Sequence, residues 1–234
     1  MPRQRAGERA AADSAEADQV SASERLAADM AGAGAGAEQL AQTATMVRER
    51  MIPRIGFVGS SEKTQQQIED SFCEGIALLE AHLEGRASLF GDRPAFADFG
   101  LWGQLYNAHT DPTAGAILDE RAPQVVAWIR RMLEPKAEGS WEPLEALLPT
   151  LKPLLETQVA DLFLPWSAAN ARAIASGDSE FSVELAGRHW EQVPQKYHAR
   201  SLKALRDRYA GVSDATALDP ILEETGCLAW LRDG

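Results

Sequence analysis

Apolar positions recur at three- and four-residue intervals through most of the chain, the spacing that lines one face of a helix. The clearest run is Ile68, Phe72, Ile76, Leu79 and Leu83. Ser60 and Ser61 stand before it as N-cap candidates, Glu62 suits its positive end, and Gly85 stops it. An earlier helix begins near Glu38 and is halted by Pro53, and Gly32, Gly34 and Gly36 interrupt the helical material before it. "DPTAGAILDERAP" predicts a short helix, after which Pro123 opens another with Val126, Ile129 and Leu133 on one face. The Leu-rich stretch from Trp141 to Gly177 is helical in spacing. There Pro149 and Pro153 divide or kink the helix, and Pro165 starts a further short one. Only "FSVELAGRHWEQV" alternates in twos, on both sides of Ala186–Gly187, which predicts a single hairpin. Helix returns between Pro194 and Gly211, and Asp219–Pro220 opens the last turns. Residues 1–15 are small, charged and without period, and read as a disordered tail. The fold class is mainly α with one small hairpin.

One helix raises a chemical question. In "GDRPAFADFGLWGQLYN" the acid Asp98 follows Ala95 by three places. That is the spacing of a capping box, in which an N-cap hydroxyl and an acid three residues on satisfy each other's amides. Ala95 has no hydroxyl, so only Asp98 can serve. Leu101, Trp102, Leu105 and Tyr106 leave this helix apolar on nearly every side, which predicts a central, buried element. Ala95 and Asp98 are therefore read as a structural helix cap, not as a catalytic pair.

Composition narrows the function. Forty-five per cent of the 234 residues are hydrophobic and 25% are charged, which suits an ordinary globular protein. A net charge of -12 argues against a nucleic-acid or anionic-membrane partner. No stretch approaches the length of a membrane span, no secretory segment follows the N-terminal arginines, and two cysteines form no disulfide framework, so a cytoplasmic protein is expected. Cys73 and Cys227 read as buried small hydrophobes, with exposure the alternative for Cys227, just after Gly226. The four histidines are scattered without metal-ligand spacing, so no metal site is expected. "AGAGAGA" has neither the strand before it nor the Lys-Ser or Lys-Thr after it that a phosphate loop requires.

"LFGDRPAFADFGLWGQL" resembles the start of the central helix in the C-terminal domain of glutathione S-transferases, where Ser or Thr, two residues and Asp form the entry box. The flanks "MIPRIGFVGSS", "LLEAHLEGRASLFGDRP" and "DPTAGAILDERAPQVVAWIRRM" agree with it. "PQKYHARSLKALRDRY" and "TGCLAWL" look like the tail of a bacterial subfamily with an extended C-terminus. The resemblance runs from about Glu16 to Leu231 and departs from the pattern at Ala95. It implies a helical bundle over residues 16–135 and a helical extension with the hairpin over residues 136–234.

What the resemblance implies about function is conjugation or reduction with glutathione, with this domain lining the hydrophobic-substrate side. The glutathione-binding, thioredoxin-like half would precede it and supply the thiol-activating residue. Nothing before Glu16 matches that half, so the expectation is a truncated chain, inactive by itself. It carries no cofactor, and glutathione is a co-substrate only where that half is present. The alternative is a non-catalytic ligand-binding or dimerisation module on the same fold. No catalytic residue is assigned. Trp102 with Tyr106, and Trp166 with Asn170, share four-residue spacings; both pairs suit core packing, and as pocket residues they would face a small hydrophobic ligand. Such a ligand and a second copy of the chain are the expected partners.

Overall fold

A computed structural model describes residue 17, residues 19–32 and residues 34–232. The tail expected over residues 1–15 lies outside the described residues. Helix α1 (residues 19–31) leads through the glycine-rich break to α2 (Ala37–Met51), and Pro53 turns the chain into a 3-10 segment, Ile52–Val58. Four helices follow: α3 (Gln65–Leu83), α4 (Phe96–Thr110), α5 (Pro112–Arg121) and α6 (Pro123–Arg131). Asp111 caps α5, its Oδ1 accepting from the amides of Thr113 (3.0 Å) and Ala114 (3.1 Å) with Pro112 in the first turn.

Helix α3 begins later than the serines predict. Thr64 is its N-cap residue, and the Thr64 hydroxyl is spent on the preceding turn, accepting from Ser61 N and donating to Gly59 O. Glycine ends the helix as expected, with Gly85 at φ +75°.

Residues 144–176 form one continuous helical rod, not separated pieces: α7 (Leu144–Leu154), a π-helical stretch (Leu155–Phe163) and α8 (Leu164–Ser176). The prolines each remove an amide donor but do not end the rod. The Pro153 carbonyl accepts from the Thr157 hydroxyl at 2.9 Å. Within the π stretch, the Asp161 carbonyl accepts from Ala186 N–H of the hairpin turn. The hairpin pairs β1 (Phe181–Leu185) with β2 (Arg188–Gln192), antiparallel, with Val183 opposite Trp190. Ala186 and Gly187 both have positive φ, as a two-residue type I′ turn demands. Helices α9 (Lys196–Ala210), α10 (Asp219–Glu224) and α11 (Leu228–Arg232) complete the chain.

Apolar residues gather in distinct cores. The first joins α3, α5 and α6 through Ile76, Leu79, Leu83, Leu118, Val125, Trp128 and Ile129. The second packs Ala160 and Leu164 of the rod against Leu202, Leu222, Cys227 and Leu228. The third sets Ala169 and Ala173 against Phe181. Two expectations are corrected here, on Leu133 and on α4, and the buried reading of Cys227 holds. Leu133 lies beyond the end of α6 and is exposed, and Trp128 is buried in its stead. Cys227 is buried in the second core, where loss of hydration pushes its thiol up from the ordinary range. Helix α4 is not enclosed. Only Asp98 and Leu105 are buried along it, while Phe96 and Phe99 face outward, because α5 and α6 cover one side and leave the rest open.

Asp98 is fully buried and accepts three hydrogen bonds. Its Oδ2 takes the Ala95 amide at 2.8 Å, closing the predicted helix entry. Its Oδ1 takes the Leu89 amide at 2.9 Å and the Trp128 indole N–H at 3.0 Å. The Asp98 amide, which a hydroxyl would serve, turns instead to the Ala95 carbonyl at 3.0 Å. Leu89 extends the lattice, since its carbonyl accepts from Nε2 of fully buried His82 at 2.7 Å. A carbonyl only accepts, so Nε2 carries the proton. In the neutral ring Nδ1 then accepts from Thr150 Oγ1 at 2.9 Å.

Arg86 ties the same corner. It donates to Glu142 at 3.0 and 3.1 Å, to His82 O at 2.7 Å and to Ala146 O at 3.0 Å. Gly91 makes room for this crossing. At φ +122°, a Cβ there would meet Ser140 O at 2.8 Å. Across the bundle, Glu80 of α3 accepts from the amides of Gln124 and Val125, both at 3.0 Å, and so caps α6 in place of Ala122.

Two predictions follow from the lattice. Asp98→Ala should lower unfolding free energy by on the order of 3 kcal/mol or more, because three donors lose a charged acceptor in a dry site. Ala95→Ser should raise it by about 0.5–1 kcal/mol. Denaturant melts measure both, and an Asp98→Ala protein that melts like the parent removes the hub.

Burial holds His82 below its ordinary pKa; the Leu89 hydrogen bond opposes this, the Arg86 charge adds to it, and Glu142 and Asp98 oppose it. The unfolded ring titrates near about 6.5. Between that value and the lower folded one, the unfolded chain binds the extra proton. Stability is therefore complete above the unfolded value and falls as pH drops toward the folded one. His82→Gln should flatten the pH dependence of the melting midpoint in that window. An unchanged slope in the variant contradicts the assignment.

Candidate functional site

On the side of α3 and α4 away from α6, the two helices diverge and leave an apolar groove of about 530 Å³. Its walls follow from helical spacing. Ile68, Phe72, Ile76 and Leu79 come from α3, Ala97, Leu101 and Leu105 from α4, and Leu151, Leu154, Leu155 and Val159 from the rod. Leu89, Phe90 and His82 close one end. The face of α3 predicted as core is thus shared: Ile76 and Leu79 are buried, whereas Ile68 stands at the rim. The volume lies within the range of small-molecule sites. Polar groups in the lining are few: Ser71, Gln158 and His82, the last with both ring nitrogens engaged.

No side chain in the lining has the arrangement of an activated nucleophile. Neither cysteine lines it, and His82 is committed to Leu89 and Thr150. Among the described residues no group of three or more His, Cys, Asp or Glu side chains could hold a metal ion. What the groove can do is take a small apolar molecule out of water and fix its orientation.

The pocket candidates named from the sequence are not gathered around this groove. Trp102 stacks at a tilt on Tyr106, with ring centroids 5.2 Å apart, and its indole donates to Ile129 O at 3.0 Å. It packs against the first core and does not line the groove. Asn170 is fully buried and clamps Gln195, donating to its carbonyl at 2.9 Å and accepting from its amide at 2.6 Å. Trp166 donates to Gln192 Oε1 and meets Phe181 and His198 edge-on. It also lines a smaller adjoining groove with Leu185 and Trp190. Ala97, Leu101 and Leu105 form a stripe at four-residue spacing that is legible in the sequence, but that it faces an opening depends on the neighbours of α4 and has no local signal. Gln158 carried no sequence signal, since its direction depends on the π turn.

Residues 62–131 match the family described as "Glutathione S-transferase, C-terminal domain". No curated protein and no solved structure matches the chain. The matched span takes in α3 to α6, and with them the Asp98 hub, the Glu80 cap and two walls of the groove; α7 and the π stretch lie outside it. No helix among the described residues is long and apolar enough to cross a membrane. Residues 62–131 are a glutathione S-transferase-like C-terminal domain.

Proposed function

We propose that the groove between α3 and α4 receives a small apolar molecule, and that this domain forms the hydrophobic-substrate side of a glutathione-dependent site. The observation that supports the reading is the groove itself, a continuous apolar lining on the family-like helices. Its contribution to a reaction is desolvation and orientation of an apolar electrophile. Stabilisation of a thiolate falls to another domain, because no lining residue is arranged to lower a thiol pKa.

A second reading is a non-catalytic dimerisation module. It is favoured by the 3-10 segment Ile52–Val58, which buries none of its residues and exposes Ile52, Ile55, Phe57 and Val58.

The neutral dye N-phenylnaphthylamine should bind the chain with a fluorescence rise. Ala97→Trp, which fills the groove from an exposed lining position, should weaken that binding by at least about tenfold without lowering the melting midpoint. Glutathione should give no calorimetric signal with the chain alone. Dye binding indifferent to Ala97→Trp contradicts the groove as the site. Sedimentation velocity addresses the second reading: it expects a dimer in the parent and a monomer in Phe57→Glu, and a monomeric parent overturns it.

A further inference from the structure

The groove continues beyond Gln158. Ile68, Ser71 and Gln158 line both it and the adjoining groove of about 350 Å³, so the two form one elongated channel with its waist at these residues. The donor groups along the channel are mostly committed elsewhere. Gln67 donates to Leu185 O, His82 is held at both nitrogens, and the indoles of Trp166 and Trp190 both donate to Gln192 Oε1. Three side-chain oxygens are without a hydrogen-bond partner among the described residues: Ser71 Oγ and Gln158 Oε1 at the waist, and Gln67 Oε1 one turn before Ser71 on α3, in the adjoining groove. The Gln158 amide is oriented by its donor end, which faces the Glu74 carboxylate at 3.3 Å and the Thr157 hydroxyl at 3.3 Å. Its oxygen therefore turns to Gly75, where a Cβ would lie only 3.2 Å away. Helix α3 is bare of a side chain where that oxygen points. No Lys, Arg, Asp or Glu lines either groove.

We infer that the ligand of this channel is an uncharged, elongated apolar molecule with a hydrogen-bond donor near its middle, a hydroxyl or amide N–H held by Gln158 Oε1 and Ser71 Oγ. This rests on the groove being the ligand site proposed above. The absence of charge follows from the lining, since a carboxylate or an ammonium would lose its hydration with no charged group in the walls to meet it; Glu74, beside the waist, lies outside the lining and is exposed. The central position of the donor follows from the waist, with an apolar arm on either side. The polar pair fixes the molecule along the channel, which apolar walls alone do not do.

The test is competition against N-phenylnaphthylamine on the full chain, with three probes of equal length: undecanol with its hydroxyl on the central carbon, undecanol with a terminal hydroxyl, and undecanoate. The central alcohol should displace the dye about tenfold better than the terminal one, and undecanoate should compete least. Gln158→Leu should abolish the preference for the central alcohol, read as the ratio of the two alcohols' affinities after correction for the variant's own dye affinity. Ser71→Ala, which removes the second oxygen, should reduce the same preference. Undecanoate competing as well as the central alcohol, or a preference that survives both substitutions, overturns the inference. Failure of the dye itself to bind in the groove, read from Ala97→Trp, overturns the underlying site instead, so the two failures are distinct.

Discussion

The Asp98 carboxylate is the point at which the α3–α6 frame is decided. A buried charge without partners is costly, and three convergent donors make this one tolerable. Each donor comes from a different piece of chain: the entry of α4, the loop at Leu89, and the far face of α6. The interaction is both a cap and a bracket. It fixes where α4 starts and how far α6 stands from it. Through Leu89 and His82 the constraint reaches Thr150, and so the beginning of the rod.

The groove is a by-product of that bracket. Helix α6 is capped by Glu80 from α3 and bonded to Asp98 of α4 through Trp128, so it fills the space between those helices on one side only. Nothing equivalent closes the other side. There the rod packs on α3 but leaves Leu101 and Leu105 of α4 facing an opening. The same polar lattice that gives the core its register keeps an apolar cleft from collapsing. This is the property that a site for apolar molecules needs.

Much of this was legible in the sequence. Helical periodicity, glycine stops and the Ala186–Gly187 turn placed most elements, because those signals are local. The Asp98 cap was legible for the same reason: three-residue spacing is all it requires. What stayed hidden depends on distant partners. Nothing near Trp128 indicates that its indole reaches an acid 30 residues earlier, and nothing near Glu80 marks it as the cap of another helix. The apolar run on α4 read as burial on all sides because periodicity counts apolar residues and not the neighbours available to cover them. The prolines at 149 and 153 read as dividing or kinking the helix, yet the rod runs on through them and packs against α3.

The π-helical stretch gives the rod a property that an unbroken α-helix lacks. Its wider turns change the angular phase between the two ends, so that α7 addresses α3 while α8 addresses β1 and α9. In an α-helix each residue advances the direction of a side chain by about 100°. Loss of one residue between Leu155 and Phe163 would therefore not merely shorten the rod. It would rotate Ala169 and Ala173 away from Phe181, and take the Asp161 carbonyl from beneath the hairpin turn. Length in this stretch acts as a setting of azimuth, and the mutual aim of the first and third cores is encoded in a count of residues more than in their identities.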